Sequence, residues 1–270
     1  FTKVISVTSF PTLRVNGDLI VLRSNKGVLI HAVQYDRSWY GNEVKAAGGW
    51  SLEMIDAQNP CSGKSNWKAG TNSNGGTPGY KNAIAANNPD TVPPDVLRIF
   101  TTDSQHLLIT FNEPLDSTIA SDDHLYQFND NNITIVKAVP RAPMMNEVLL
   151  TLSDPLSLQK IYTLSIKNIA DCKGNIASAQ TVKTALPSVA KANEIVINEI
   201  LFNAPDDGAE YIELYNHGNN TINLKALFIT TRNSAGNLNT LKRLSEDDAL
   251  FFPGEYKVVS SDIDAVKKKY

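Results

Sequence analysis

The stretch that decides the fold class is residues 107–111, which read LLITF. Its first, third and fifth residues are apolar and share one face of a strand, because successive side chains of a strand point to opposite faces. Residues 148–152, which read VLLTL, repeat this alternation. Each run is followed by a similar breaker, at residues 112–115 (NEPL) and 153–156 (SDPL). Proline lacks the backbone N–H, so strand pairing is expected to stop there.

Further short apolar runs surround these two at intervals of roughly 8–12 residues, the spacing that is typical of a β-sandwich. The predicted strands of this region are Val96–Phe100, Leu107–Phe111, Tyr126–Phe128, Ile133–Val139, Val148–Leu152 and Tyr162–Ile166. The pattern predicts an all-β fold with minimal helix.

The chain divides into three parts where its composition changes. Residues 82–94 (NAIAANNPDTVPP) lack any period and end in a proline pair, and residues 187–193 (PSVAKAN) are small and irregular. Both stretches are typical of linkers. We therefore expect an N-terminal segment (residues 1–91), a central module (residues 92–187) and a C-terminal segment (residues 188–270).

Strand patterns continue in both terminal segments. In the N-terminal segment, apolar residues alternate on either side of residues 25–27 (NKG), which predicts a hairpin. A long polar loop at 62–79 follows, in which Trp67 is expected to act as an anchor. The predicted strands of the C-terminal segment are Ile195–Phe202, Tyr211–Tyr215, Leu224–Thr230 and Tyr256–Val259. The tail Asp262–Tyr270 places acids before lysines, which predicts a short helix.

The overall composition is that of a globular protein and excludes several classes of function. The 270 residues are 42% apolar and 20% charged, with a net charge of −3 and an isoelectric point near 5.8. This charge gives no basic excess to collect phosphates, so we expect no nucleic-acid partner. No apolar run approaches the roughly 20 residues of a membrane helix, so we expect no membrane span.

The two cysteines, Cys61 and Cys172, lie far apart in the sequence. No CxxC pair is present and the chain has only four histidines, so a structural zinc site lacks ligands at the usual spacing. In an oxidising compartment the cysteines would form one long-range disulfide. The alternative is a pair of free, half-buried thiols.

Motifs in the two terminal segments carry one family resemblance. The C-terminal motifs are VINEI at 196–200, EYIELYN at 210–216, Leu224 and FPGEY at 252–256. On these, residues 195–259 resemble the opening half of a bacterial lamin-tail domain. The N-terminal motifs are SFP at 9–11, GD at 17–18, SWY at 38–40, GGWSLE at 48–53, NW at 66–67 and GGTPG at 75–79. On these, residues 1–79 resemble the closing half of the same domain.

The central module carries a second resemblance, through PP at 93–94, TFNEPLD at 110–116 and YTL at 162–164. It is similar to the immunoglobulin-like (Ig-like) domains of bacterial surface proteins. Together the resemblances imply Ig-like β-sandwiches, a secreted or cell-surface location and no catalytic residues to carry over.

No single stretch of the sequence contains a complete lamin-tail domain. Half of such a sandwich would leave strand edges unpaired and one apolar face exposed to solvent. We therefore hypothesise that the two halves complete one sandwich. They would meet within one chain, or between chains by head-to-tail self-association, which builds a ring or a filament. The alternative is that the chain is a cut from a longer tandem array.

Two acidic stretches are candidate cation sites. Asp206, Asp207 and Glu210 place three carboxylates within five residues, and Ca²⁺ favours such oxygen ligands. The alternative is a solvated hairpin turn. Asp122 and Asp123 begin the second stretch, which we interpret as a surface loop.

Aromatic residues beside charged ones are the candidate ligand contacts. Trp39 and Tyr40 follow Asp36 and Arg37, and such a pair can stack on a sugar ring or a peptide. Trp67 is a third candidate residue for contact with such a ligand. The alternative is that Trp39 plugs the end of the sandwich and Tyr40 lies on its rim.

Catalysis has little support in the sequence. Glu199 and Glu213 lie within predicted strands, where two carboxylates could imitate a glycosidase dyad, but strand carboxylates usually face solvent. The GxSxG, HExxH, GxGxxG and P-loop patterns are absent. We therefore predict a non-enzymatic structural, assembly or recognition module of a bacterial multidomain protein. The alternative is a carbohydrate- or protein-binding accessory region of an extracellular hydrolase or nuclease.

Overall fold

A computed structural model of the chain describes residues 4–130, 132–206 and 208–270. The fold is all-β, as predicted, with the strands arranged in several small sheets. Two short α-helices are present in the described chain, α1 (Glu43–Ala46) and α2 (Ile263–Lys269). Neither has the length and apolar character that a membrane crossing requires.

The central module forms two sheets around the main hydrophobic core. Its strands are β5 (Val96–Asp103), β6 (His106–Phe111), β7 (Tyr126–Phe128), β8 (Ile135–Pro140), β9 (Glu147–Leu152), β10 (Ile161–Ile166) and β11 (Gln180–Ala185). The sheet orders are β5-β6-β9-β8 and β11-β10-β7. All six predicted strands are confirmed within a few residues of their expected ends, and β11 was not predicted.

The alternation at residues 107–111 and 148–152 accounts for this core. Leu107, Ile109 and Phe111 are fully buried, and they belong to one apolar cluster with Leu150 of β9 and Leu164 of β10. Since β6 and β9 lie in one sheet and β10 in the other, the cluster joins the two sheets face to face.

The N-terminal segment contains two antiparallel pairs. Its strands are β1 (Gly17–Arg23), β2 (Leu29–Asp36), β3 (Leu52–Met54) and β4 (Trp67–Ala69). The hairpin predicted around residues 25–27 is confirmed, because β1 pairs with β2 across that turn. The prediction that 62–79 is entirely loop is wrong, since β4 lies inside it and pairs with β3.

The rest of this polar stretch folds around a buried carboxylate. Glu53 is only 4% exposed. Its Oε1 accepts hydrogen bonds from the hydroxyls of Ser51 (3.2 Å) and Thr77 (3.0 Å), and its Oε2 accepts from the backbone N–H of Ala83 (2.9 Å). A buried carboxylate is tolerated when its oxygens are satisfied in this way. The GGWSLE and GGTPG motifs are therefore two parts of one structural unit.

The C-terminal segment is divided among three small sheets. Its strands are β12 (Ile195–Leu201), β13 (Tyr211–Asn216), β14 (Ile222–Asn223), β15 (Phe228–Ile229), β16 (Lys242–Arg243), β17 (Leu250–Phe251) and β18 (Tyr256–Ser260). The largest sheet has the order β12-β13-β18, and the others pair β14 with β17 and β15 with β16.

One strand predicted in this segment is interrupted. The expected strand at residues 224–230 is broken by a single 3₁₀ turn over Leu224–Ala226, which leaves the two-residue strand β15 after it. The side chain of Asn223 caps this turn by accepting a hydrogen bond from the N–H of Lys225. The predicted C-terminal helix is confirmed as α2, whose first turn is capped by Asp262.

The two terminal segments meet in no sheet among the described strands. The within-chain form of the completed sandwich is therefore not formed by these strands. The N-terminal segment is attached instead to the central module, through a disulfide between Cys61 and Cys172. Beside it, Lys173 Nζ donates to the Gln58 carbonyl at 2.6 Å, and Asn175 Nδ2 donates to the Asp90 carbonyl at 3.3 Å.

Replacing Gly75 by alanine should destabilise the N-terminal segment. Gly75 has a φ of +85°, and a Cβ there would lie 1.9 Å from the Gly49 carbonyl oxygen. Gly27 is the matched control, because its φ is +79° and a Cβ would meet nothing within 4 Å. We expect Gly27→Ala to cost about 1–2 kcal/mol for the backbone conformation, and Gly75→Ala about 2–5 kcal/mol because the clash is added. Urea unfolding measures both, and equal losses would contradict the packing of the two motifs.

Removing the disulfide should lower stability substantially. The bond closes a loop with a sequence separation of 111 residues, and cross-links of that length restrict the unfolded chain strongly. We expect the double variant Cys61→Ser/Cys172→Ser to lose about 2–5 kcal/mol in urea unfolding. Dithiothreitol should bring the native protein to the same midpoint and leave the double variant unchanged. An effect of dithiothreitol on the double variant would show that the loss has another cause.

Candidate functional site

A cleft of about 630 Å³, here called the Trp39 cleft, lies between the β1–β2 hairpin and the central module. One wall includes Asn16, Gln34 and Trp39 of the N-terminal segment. The opposite wall includes Glu113 and Asn146 of the central module. Since the disulfide joins the same two parts of the chain, it fixes these walls relative to each other.

Local structure holds Trp39 in place. It lies in the 3₁₀ turn Arg37–Tyr40, whose first turn is capped by Asp36 accepting a hydrogen bond from the Ser38 N–H at 2.7 Å. Hydrogen bonds from the side chain and backbone of Ser38 lower the pKa of Asp36, which keeps the cap charged. The Trp39 ring lies 6.3 Å from that of Trp67, tilted by 40°.

A smaller apolar pocket of about 260 Å³ adjoins the cleft and shares Trp39 with it. Trp67, Met144 and Met145 contribute to its walls, together with the disulfide. His31 also lines this pocket, and its Nε2 is buried with no hydrogen-bond partner among the described residues.

Tyr40 takes a different position from the one a paired aromatic contact requires. Its hydroxyl donates to the Trp50 carbonyl at 2.8 Å, and it lines neither the cleft nor the smaller pocket. The structure thus brings the rings of Trp39 and Trp67 together, whereas the Tyr40 hydroxyl is hydrogen-bonded to the backbone of Trp50. Whether these residues bind a ligand stays a prediction.

The Asp206, Asp207 and Glu210 stretch is only partly described. Asp206 and Glu210 are exposed, and Asp207 lies outside the described residues. The calcium site predicted there stays a prediction.

Elsewhere in the described part of the chain, two clusters of side chains could ligate a metal. One combines Asp122, Asp123 and His124 at the surface, which is the stretch interpreted as a surface loop. The other combines Asp90, Glu113 and Asp171, whose carboxylates approach within 4.8 Å of one another.

The second cluster lies at the joint between the N-terminal segment and the central module. Both Asp171 oxygens already accept hydrogen bonds from Asn175, from its backbone N–H (2.9 Å) and its side chain (2.7 Å). Asp90 accepts from the Ser62 hydroxyl at 2.7 Å. Because these oxygens are engaged within the protein, we treat the cluster as an electrostatic feature and assign no metal to it.

In this cluster, the charged form of Glu113 lies in an unfavourable electrostatic environment. Burial raises the pKa of its carboxyl to about 7, with further contributions from the charges of Asp90 and Asp171. The sequence does not identify Glu113 as a residue of the cleft, because it is noticeable only as part of the NEPL breaker. It does not identify Asn146 either, since no local pattern indicates that this residue lines the same cleft as Trp39.

Stability should fall between about pH 5 and pH 7.5 because of Glu113. The folded state binds this proton more tightly than the unfolded chain, whose carboxyl has the ordinary pKa of 4.5. The stabilising contribution is therefore complete below pH 4.5 and is lost as the pH rises through about 7. Thermal melts should show a smaller decline over this range for Glu113→Gln than for the native protein. Glu246→Gln, at an exposed glutamate, should retain the native pH profile, and an unchanged profile in Glu113→Gln would contradict the assignment.

No protein-family model and no curated protein matches the chain. Four solved chains match it. The N-terminal part of the bacterial S-layer protein SbsC is 17% identical, with a TM-score of 0.33, over 63% of this chain and 41% of that one. A structure of SbsC domains 1–6 is 18% identical, with a TM-score of 0.33, over 64% and 24% respectively. A structure of the S-layer protein rSbsC is 22% identical, with a TM-score of 0.31, over 55% and 19%. The chain spans less than half the length of each of them, and we draw no functional conclusion from this likeness.

Proposed function

We propose that this chain is a non-enzymatic structural module of a secreted or cell-surface bacterial multidomain protein, and that copies of it associate head to tail. In this arrangement the N-terminal segment of one copy covers the C-terminal segment of the next. The two segments would thereby complete the lamin-tail-like sandwich that their motifs resemble. The observation that carries the proposal is the difference in burial between the central module and the two ends.

The central module covers the apolar faces of its sheets, whereas the terminal sheets leave apolar side chains in solvent. The alternating residues of β6 are fully buried. In the C-terminal segment, by contrast, Ile197 and Ile200 of β12 are each 57% exposed. In the N-terminal segment, Ile20 and Leu22, which share one face of β1, are 41% and 58% exposed. Exposed apolar residues that share one face of a strand are typical of surfaces that a partner covers.

The strand edges support the same interpretation. Among the strands of the described residues, none pairs with the outer side of β1 or of β2, and the β12-β13-β18 sheet ends at β12 and β18. Unpaired strand edges offer rows of N–H and C=O groups to another chain. Such edges occur at both ends of the chain, so contact between the two ends would satisfy both.

The charges of the two ends favour a head-to-tail contact over contact between like ends. Residues 1–91 carry nine Lys or Arg and six Asp or Glu, a net charge of +3. Residues 188–270 carry nine Lys or Arg and twelve Asp or Glu, a net charge of −3. Opposite charges attract the N-terminal segment of one copy to the C-terminal segment of another, and like ends repel.

The disulfide supports the proposed location. A stable bond between Cys61 and Cys172 forms in oxidising surroundings such as the periplasm or the cell exterior. The second candidate function is a ligand-binding accessory region, and the Trp39 cleft is the observation that favours it.

A substitution that blocks either end should stop the head-to-tail association of copies without unfolding the protein. We expect the native protein to show a sedimentation coefficient that rises with concentration, and Leu22→Lys and Ile200→Lys each to remain monomeric. Both side chains are exposed, so each change should alter stability by about 0.5 kcal/mol or less. Val136→Lys is the matched control, because Val136 is 53% exposed in the central module, and it should associate like the native protein.

Mixing the two blocked variants tests the direction of the contact. Each retains the end that the other has lost, so an equimolar mixture should form dimers and nothing larger. A native protein that stays monomeric at all concentrations would contradict the proposal. So would a mixture that stays monomeric, or a control variant that loses association as fully as Leu22→Lys.

A further inference from the structure

Three side-chain amides in the lining of the Trp39 cleft are accessible to a ligand, since Asn16 and Gln34 are exposed and Asn146 is half-buried. The side-chain amides of Asn16, Gln34 and Asn146 line the cleft and make no hydrogen bond to another described residue. Each amide offers two donors and an acceptor. Glu113 adds a carboxyl with no hydrogen-bond partner in the described chain. A ligand with several neighbouring hydroxyl groups would satisfy these donors and acceptors together.

The aromatic side chain of the cleft, Trp39, is preorganised for binding. Trp39 is half-buried, is packed near Trp67 and lies on a capped turn. A fixed indole presents an apolar face to the C–H groups of a sugar ring, while the amides can hydrogen-bond to the hydroxyl groups of the sugar. Preorganisation of this kind lowers the entropy lost on binding.

The charges around the cleft are nearly balanced. Two cations, Arg14 and Lys64, are present beside three acids, Asp18, Asp36 and Glu113. Arg14 faces Asp18 at 3.9 Å, and Asp36 is engaged in capping its turn. A balanced lining of this kind favours a neutral ligand over a polyanion or a polycation.

We infer that the Trp39 cleft binds a short neutral saccharide. Its volume of about 630 Å³ lies within the range of small-molecule sites, and it has the position between two parts of a fold where such sites are frequent. Trp39 stacks on one sugar ring, and Gln34 and Asn146 bind hydroxyls from opposite walls. The disulfide holds these walls at the spacing that the ligand needs. This inference uses other residues than the head-to-tail contact and goes beyond it.

A saccharide fits the cleft better than a peptide does. The large cleft combines side-chain amides with the Trp39 indole, an arrangement that suits a ring with hydroxyl groups at its edge and C–H groups on its face. The surface best suited to anchor an apolar peptide side chain is the smaller pocket of about 260 Å³ beside it.

The test is a titration of the full chain with named sugars. Cellotriose, maltotriose, mannotriose and chitotriose are added while tryptophan fluorescence and saturation-transfer NMR signals are recorded. We expect at least one of them to bind saturably with a dissociation constant of about 1 mM or lower. Trigalacturonate, which is anionic, should bind at least about tenfold more weakly.

Two variants in the cleft and one outside it assign the binding to this site. Trp39→Ala should weaken binding at least about tenfold. Asn146→Ala keeps both tryptophans, so it tests the cleft even if Trp39→Ala disturbs the local fold, and it should weaken binding severalfold. Tyr256→Ala, at a tyrosine that is 53% exposed in the C-terminal segment, should leave affinity unchanged.

Several results would overturn the inference. One is that none of the four neutral sugars binds at about 10 mM. Another is binding that neither Trp39→Ala nor Asn146→Ala weakens. A third is Trp39-dependent binding of members of a random heptapeptide pool without any sugar binding, which would identify a peptide site instead.

Discussion

The disulfide between Cys61 and Cys172 is the constraint on which the relation between the N-terminal segment and the central module depends. The carboxylates of Asp90, Glu113 and Asp171 converge at the same joint, and their mutual repulsion opposes close contact there. The covalent bond holds the joint together against this repulsion. Because the walls of the Trp39 cleft belong to the two parts so joined, the shape of the cleft depends on this bond and on the hydrogen bonds of Lys173 and Asn175 beside it.

Buried polar side chains organise the two ends of the chain, where the apolar core is thin. In the N-terminal segment, the Glu53 carboxylate accepts hydrogen bonds from the Thr77 hydroxyl and the Ala83 backbone N–H. Asn216 is fully buried in the C-terminal segment and donates to the carbonyls of Asn220 and Phe251, both at 2.9 Å. Such hydrogen bonds fix the local backbone, but they bury little apolar surface. This explains how each terminal segment keeps a defined shape while Ile200 and Leu22 remain in solvent.

The strands of the central module could be predicted because their apolar residues alternate strictly, which reports one buried face. The same reasoning missed β4, because Trp67-Lys68-Ala69 is surrounded by polar residues and pairs with β3 across the long connection formed by residues 55–66. It also failed at Asn223, whose side chain stops a strand by capping a turn. The cleft was only half predictable. Trp39 could be singled out from the charged residues beside it in the sequence, whereas Asn146 reaches the same cleft only through the fold of the whole chain.

The β1–β2 hairpin takes part in both proposals, on different faces. Leu19 of β1 and its partner Gln34 of β2 line the Trp39 cleft. Ile20 follows Leu19 and points to the opposite face, because side chains alternate along a strand, and it is 41% exposed. A two-stranded hairpin is only marginally stable by itself, so a contact on one of its faces stabilises the hairpin and thereby favours binding at its other face. A saccharide in the cleft would therefore hold the hairpin in the conformation that a neighbouring copy has to bind.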